Sequence, residues 1–513
     1  MTDSSEQPPS IETIQRRFVV LAATVAALLR LPAYFSVRHL TFDDGVFASS
    51  VLAMRDGGIP FKEVFSSQGP LFLPLAYLFD FLGLRTIDSP RVLAIVSGVV
   101  LTIFVFLALI RMTKPIEALY GALIVATSGC IMWVTGPLAA DGPALAFAAI
   151  AFWMTLIHLE RPRLSSAALI GLSVGASLAS KSMHLPLIAV VAVVLATPTI
   201  NDLRARRFNI RTLADPVVSG VLTVGVYLVA SIPFGLSNVW DQAFSYRAEI
   251  SDVRDPLGNL RKIISTLWDR DLVLWLLVVV TLGWAILRRT HSGSSADDRS
   301  GTATGPLDEP KVDSEAMPWR PSHQVLCGAW LALTVAWLTF GVNPMWRAHV
   351  SAVVLPAAFV LALNAPPRRW LAVLTVACVP LVLIQLDGLL VPGDYSGSER
   401  RVVELLRELP QGAWVISDEP GLVWRAGRRT TDNLVDPSML RVQSGRYDED
   451  DVVRDAADNR VCAAVVRSDD RFGHFPGLSR RLESIGYVVV DVSRSAGGDD
   501  QRVYVRADCS PPG

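Results

Sequence analysis

Residues 16–45 read RRFVVLAATVAALLRLPAYFSVRHLTFDDG. An arginine pair leads into an apolar run, 18–37, and the run ends at two adjacent carboxylates, Asp43 and Asp44. A bilayer core of roughly 30 Å takes about 20 apolar residues per helix, so 18–37 is long enough to cross. The run has no small-residue cleavage site, which makes it a retained first span rather than a secretion signal. Basic residues favour the cytoplasmic side. Arg16 and Arg17 therefore set the N-terminus inside and place the carboxylate pair at the outer boundary.

Further apolar runs continue the pattern at 90–110, 115–134, 142–158, 165–180, 184–198, 213–235, 271–287, 323–341, 347–363 and 370–391. Counted alternately, the inside connections hold Arg111/Lys114, Arg161/Arg163, Arg204/Arg206/Arg207, Arg288/Arg289 and Arg368/Arg369. The count works only if Gly69–Gly83, which contains Pro74 and Asp80, lies at the outer interface instead of crossing. The expected fold is a polytopic α-helical membrane protein with about eleven spans. Residues 1–17 form a cytoplasmic tail, 18–391 the membrane domain and 38–89 its first outer loop. Residues 288–322 are expected to be a disordered cytoplasmic loop.

Composition agrees with that class. Hydrophobic residues make up 51% of the 513-residue chain and charged residues 19%, against about 25% charged in soluble domains. The net charge of −1 argues against a nucleic-acid partner driven by bulk charge. Five scattered cysteines without a CxxC pair argue against a zinc module or a disulfide scaffold.

From 392 to 513 the texture changes. Charged residues alternate with strand-length apolar runs at Ala413–Ile416, Val461–Val466, Tyr487–Val492 and Val503–Val505. Helical stretches intervene at Glu399–Leu409 and Leu478–Ile485, which together read as a small extracytoplasmic α/β domain. Cys462 and Cys509 would face an oxidising compartment there, although nothing local demands that they pair.

Two carboxylates at a membrane boundary are expensive unless hydrated, paired or cation-bound. One of them could serve as a general base toward an acceptor hydroxyl. An Asp pair in a loop can equally solvate it or cap the helix that follows, and the two readings stand side by side. The loop goes on through Gly58-Ile59-Pro60-Phe61 and Gln68-Gly69-Pro70-Leu71 to Ser89-Pro90-Arg91.

This arrangement resembles the first outer loop of the GT-C glycosyltransferases. It is most similar to the protein O-mannosyltransferases and the aminoarabinose and RgtA/B/C/D-like transferases. That pattern is Asp-Glu after the first helix, Gly-x-Pro-aromatic, His/Lys-Pro-Pro-Leu, and an Arg opening the next span. Here Asp44 replaces the Glu, and Gln68-Gly69 replaces the His/Lys-Pro. Asp141, in Ala140-Asp141-Gly142-Pro143, falls where the family places another acidic residue, and it would also cap the helix it precedes. Gly171-x3-Gly175 permits close helix packing and leads to Lys181 and His184. Trp346-Arg347-Ala348-His349 could grip a phosphate or anchor the interface. Arg30 and Arg91 are weaker candidates of the same kind, and Arg91 could instead pair with an acidic loop residue. Trp240, Tyr246, Arg247, Glu249, Arg261, Lys262 and Trp268 mark either an acceptor site or an interfacial helix. Asp418-Glu419 lacks the further ligands a metal site needs.

The resemblance implies a polyprenyl-phosphate sugar as donor, with its lipid tail among the membrane lipids. It implies transfer to an acceptor hydroxyl on a glycan, lipid or protein at the outer face of the cytoplasmic membrane, by inverting single displacement. Asp43 would be the base. Asp44 and Asp141 would position it or hold a divalent cation, although the chemistry requires no metal. Lys181, His184, Arg347, His349 and Arg91 would contact the donor phosphate. A flippase for lipid-linked sugars or a non-catalytic envelope scaffold are the alternatives.

Overall fold

A computed structural model describes residues 11–206, 209–245, 248, 255–293, 321–389, 397–494 and 500–509. The 288–322 loop beyond Gly293 and before Pro321, and Tyr246, Arg247 and Glu249, lie outside them. Among the described residues, seven helices are long and apolar enough to cross a membrane: Glu12–Tyr34, Ser89–Leu109, Asp141–Glu160, Ser182–Arg204, Ile210–Phe234, His323–Gly341 and Arg368–Asp387. A bent pair, Pro115–Thr127 with Gly129–Thr135, is apolar and long enough to make an eighth if the two pieces form one span. Eleven were expected. Leu164–Ser180, Leu272–Trp284 and Arg347–Leu363 coincide with expected spans but are shorter apolar helices of 17 residues or fewer. Phe72–Leu82 has 11 residues, about 16 Å at 1.5 Å per residue, which is too short to cross.

The run at 115–134 was expected to be one span, and instead it bends by 59°. Ser128 leaves the helix (φ −58°, ψ 126°), and its side chain accepts from Ile131 N, starting the second piece. The carboxylate of Asp271 binds Ser128 Oγ from behind. Gly129 sits where any Cβ would collide with the Arg270 carbonyl. A break frees backbone carbonyls, and buried Arg30 takes one of them, donating to Ala126 O at 3.2 Å. Arg30 also donates to Ala26 O and to Thr135 Oγ1, each at 2.8 Å. Gly98 leaves the room its guanidinium occupies. Arg30 thus braces the bend and is fully buried.

The bundle core is continuous and centres on Phe152, Trp330 and Phe359, with ring centroids 4.8–5.9 Å apart. Gly171 and Gly175 face the Ala214–Ser231 helix, where added Cβ atoms would meet the carbonyls of Ser219 and Thr223. This is the close approach that small residues permit. At one end of the bundle Arg111 pairs with Glu160, and His158 lies 3.6 Å from Asp215. The opposite end carries the carboxylates and the C-terminal sheet.

That sheet has four strands, β1 (Trp414–Ser417), β2 (Val461–Val466), β3 (Tyr487–Arg494) and β4 (Asp500–Arg506), in the order β1-β2-β4-β3. β1 and β2 are parallel, and the other pairings are antiparallel. The Gly397–Glu408 helix covers one face through Val402, Val403 and Leu406. Tyr447, Val452 and Leu482 pack on the other. A disulfide joins Cys462 to Cys509.

The sheet docks on the loop that follows the first helix through a glycine contact. The short Pro420–Arg425 helix lies on the Phe42–Arg55 helix so closely that a Cβ on Gly45 would be 2.5 Å from Gly421 Cα. Around this contact Ser49 Oγ donates to Pro420 O at 3.2 Å and Trp424 Nε1 to Ile87 O at 2.9 Å. Arg425 pairs with Asp88 at 2.6 Å.

Candidate functional site

Thr41 caps the Phe42–Arg55 helix, accepting from Asp44 N at 3.1 Å. Asp43 and Asp44 therefore fall in its first turn, where negative charge favours the helix. Adjacent residues point about 100° apart on a helix, and this separates their fates.

Asp44 turns inward and is fully buried. Both its oxygens meet the Arg91 guanidinium, Nε at 3.2 Å from Oδ1 and Nη2 on Oδ2. Leu40 N and Leu138 N donate to it at 3.0 and 2.9 Å. Burial alone would raise its pKa, but the Arg91 charge and these hydrogen bonds outweigh burial and hold it below the ordinary carboxylate range. Arg91 also donates to the carbonyls of Ala33 (2.8 Å), Ser36 (3.0 Å) and Arg38 (2.7 Å). The pair stitches the end of the first span, the loop after it and the segment at Leu138 together. Arg91 is spent on this knot and is not on the cavity wall.

Asp43 turns outward onto the wall of a cavity of about 630 Å³. The same wall carries Gln68, Lys181, Trp346 and His349 from the membrane part, and Asp436, Asp470 and Arg471 from the C-terminal part. Lys181 ends the Leu164–Ser180 helix in an extended conformation (φ −159°, ψ 133°). It pairs with Asp141 at 2.7 Å, both nearly buried. His184 is buried close enough to interact with both charges. The Gln68-Gly69-Pro70 segment clamps this corner. Gly69 N donates to Ser180 O at 3.2 Å and Leu71 N to Ala179 O at 2.8 Å, with no room for a Cβ on Gly69.

Of the sequence candidates, the cavity brings together Asp43, Lys181 and His349, with Asp141 and His184 directly behind Lys181. Arg347 is half-exposed beside them and pairs with Asp269 at 3.0 Å. Trp240 and Trp268 are exposed and do not line the cavity. Lys262 donates to Met345 O at 2.9 Å, which supports the segment carrying Arg347 and His349.

Arg471 was missed by sequence reasoning. It follows β2 in Ser468-Asp469-Asp470-Arg471 and stacks 4.4 Å from the Phe42 ring. Glu419 holds it at 3.0 Å and also lies 3.2 Å from His39 Nε2. The signal was available, because ligand-facing residues collect in the loops beyond the carboxyl ends of parallel strands. Asp418 accepts from Arg467 N and Ser468 N. Burial pushes its pKa up to about 6 against Arg471 and those N–H groups, with Glu419 adding to the rise. Glu419 moves the other way. Burial would raise it, but His39 and Arg471 win and lower it. Both carboxylates thus have protein partners. Asp44 and Asp141, named as cation holders, each face Arg91 or Lys181 instead. No three His, Cys, Asp or Glu side chains gather to hold a metal among the described residues.

A family model described as dolichyl-phosphate-mannose-protein mannosyltransferase matches residues 67–230, less than half the chain. Two solved structures of ArnT from Cupriavidus metallidurans share the fold. The one bound to undecaprenyl phosphate gives a TM-score of 0.58 and the apo form 0.59. Each is 13% identical and covers 97% of this chain and 99% of its own. A search by sequence among curated proteins finds no match. The fold is that of these two ArnT structures.

Proposed function

We propose that this protein transfers a sugar from a polyprenyl-phosphate donor to an acceptor hydroxyl at the outer face of the cytoplasmic membrane. The observation that carries the reading is that Asp43 and Lys181 face one cavity at the carboxylate-rich end of the bundle. The mannosyltransferase family match and the ArnT fold support a lipid-linked donor. The basic connections at the other end support the orientation.

In the proposed reaction Asp43 takes the acceptor O–H proton while that oxygen attacks the anomeric carbon. The bond from that carbon to the phosphate oxygen breaks on the opposite face, and the configuration inverts. The leaving polyprenyl phosphate gains negative charge, which Lys181 and His349 stabilise, with Arg347 at the rim. Asp141 positions Lys181, and His184 backs that pair. The Asp44–Arg91 pair positions Asp43 without touching substrate. No metal takes part in this scheme. The acceptor class covers glycans, lipids and protein hydroxyls.

A deletion strain tests the reading. Its lipid-linked sugars, measured by mass spectrometry, should show one donor accumulating on the outer leaflet. Accumulation on the inner leaflet would indicate a flippase, and no accumulation at all would contradict a donor-consuming enzyme.

A further inference from the structure

Arg471 spends one corner of its guanidinium on the protein. Nη2 donates to Glu419 Oε2 at 3.0 Å, and Cζ sits 4.4 Å from the centre of the Phe42 ring. Among the described residues Nε and Nη1 meet no acceptor, and neither atom is shut off from solvent. The preceding residue, Asp470, is exposed and makes no hydrogen bond or ion pair with the described residues. Both side chains line the cavity that Asp43 faces.

The loop that carries them is tied down. It leaves the carboxyl end of β2, where Asp418 accepts from Arg467 N at 2.9 Å and from Ser468 N at 2.8 Å. Ser468 O then accepts from Arg471 N at 3.1 Å and from Gly473 N at 2.9 Å. Glu419 and Phe42 hold the guanidinium itself. Open donors and open acceptor oxygens thus stand on consecutive residues, about 3.8 Å apart at Cα.

Charge selects what fits there. A guanidinium only donates and an ionised carboxylate only accepts. A phosphate or carboxylate ligand would satisfy Arg471 but set its charge against Asp470, and Glu419 already offsets part of the Arg471 charge. An ammonium group would meet the reverse conflict. Two neighbouring hydroxyls on a neutral ring satisfy both side chains, because each hydroxyl donates and accepts. We propose that Asp470 and Arg471 form a sugar subsite, supplied by the C-terminal part, that binds a neutral vicinal diol. This rests on the sugar-transfer reading above. The donor's sugar and an acceptor glycan share that chemistry.

The test uses the full chain in lipid nanodiscs and measures equilibrium binding of five probes. These are undecaprenyl phosphate, its mannosyl and arabinosyl esters, and free mannobiose and arabinobiose. Wild type should bind a sugar lipid more tightly than bare undecaprenyl phosphate, or bind a free disaccharide. Asp470→Ala should weaken that sugar-dependent binding by about three- to tenfold, the range for one hydrogen bond. It should leave the bare phosphate and the unfolding temperature unchanged, since Asp470 has no partner in the protein to lose. Arg471→Lys keeps the charge beside Glu419 but loses the planar fork, and should weaken the same probe. Loss confined to the sugar lipids assigns the subsite to the donor's sugar, and loss confined to a free disaccharide assigns it to an acceptor glycan. The inference is overturned if Asp470→Ala leaves all sugar binding unchanged, or if wild type shows no sugar-dependent binding. It is also overturned if either variant weakens the bare phosphate as much as the sugar probes, which would mark an anion site. These affinities do not depend on Asp43, so their failure is separate from failure of the transfer reading, which is decided by turnover.

Discussion

Asp141 and Lys181 meet at 2.7 Å, and the side chains are 3% and 6% exposed. They close the corner where two helices, Asp141–Glu160 and Leu164–Ser180, reach the cavity. Removing one partner of a buried pair leaves the other charge uncompensated, at a cost of about 3–5 kcal/mol. We expect Asp141→Asn and Lys181→Met each to lower the unfolding temperature in detergent. The double variant should recover part of the loss. Additive losses would show that the two charges do not depend on each other.

The neighbouring carboxylates should separate by phenotype. Asp44→Asn breaks the buried knot with Arg91 and should lower thermal stability first, with activity falling as a consequence. Asp43→Asn should leave the unfolding temperature near that of wild type. Equal destabilisation by both would remove the distinction between a positioning and a reacting carboxylate.

Docking of the sheet depends on the glycine contact. Gly421→Val would drive side-chain atoms into His39, an overpacking cost of about 1–3 kcal/mol. Limited proteolysis should then release the C-terminal part faster, and donor affinity should fall because Arg471 and Asp436 leave the cavity wall. Unchanged cleavage would show that the contact does not govern docking.

Asp418 provides a pH signature. Its folded-state pKa of about 6 lies above the ordinary 3.8, so the native state binds the proton more tightly than the unfolded chain. This group's contribution to stability therefore falls as pH rises from about 4 to 6, and the cost persists above 6. Relative to Asp418→Asn, wild type should gain stability on going from pH 7 to pH 5. A difference between the two that does not change over that range would contradict the raised pKa.

Much of this molecule was legible in its chain. The four strands fall on the apolar runs read as strands, because alternating charge and short apolar runs leave little else. Asp43, Asp141, Lys181 and His349 were singled out by residue type at the ends of apolar runs, together with the resemblance. The bend at Ser128 was not legible. A serine inside an apolar run is ordinary, and its partners Asp271 and Arg30 come from distant segments. Arg471 did carry a signal, its place just beyond a parallel strand, but only the docked sheet brings it to Phe42. The sequence left Arg91 open between a phosphate contact and an acidic partner, and only packing could bring it to Asp44.

The most direct test is single-turnover sugar transfer in vesicles, with purified wild type and Asp43→Asn at saturating donor lipid. We expect the variant to bind the donor with near wild-type affinity while its turnover falls by about 10²–10⁴-fold, the range for loss of a general base. Turnover within a few-fold of wild type at unchanged donor binding would contradict the assignment of Asp43 and the mechanism built on it.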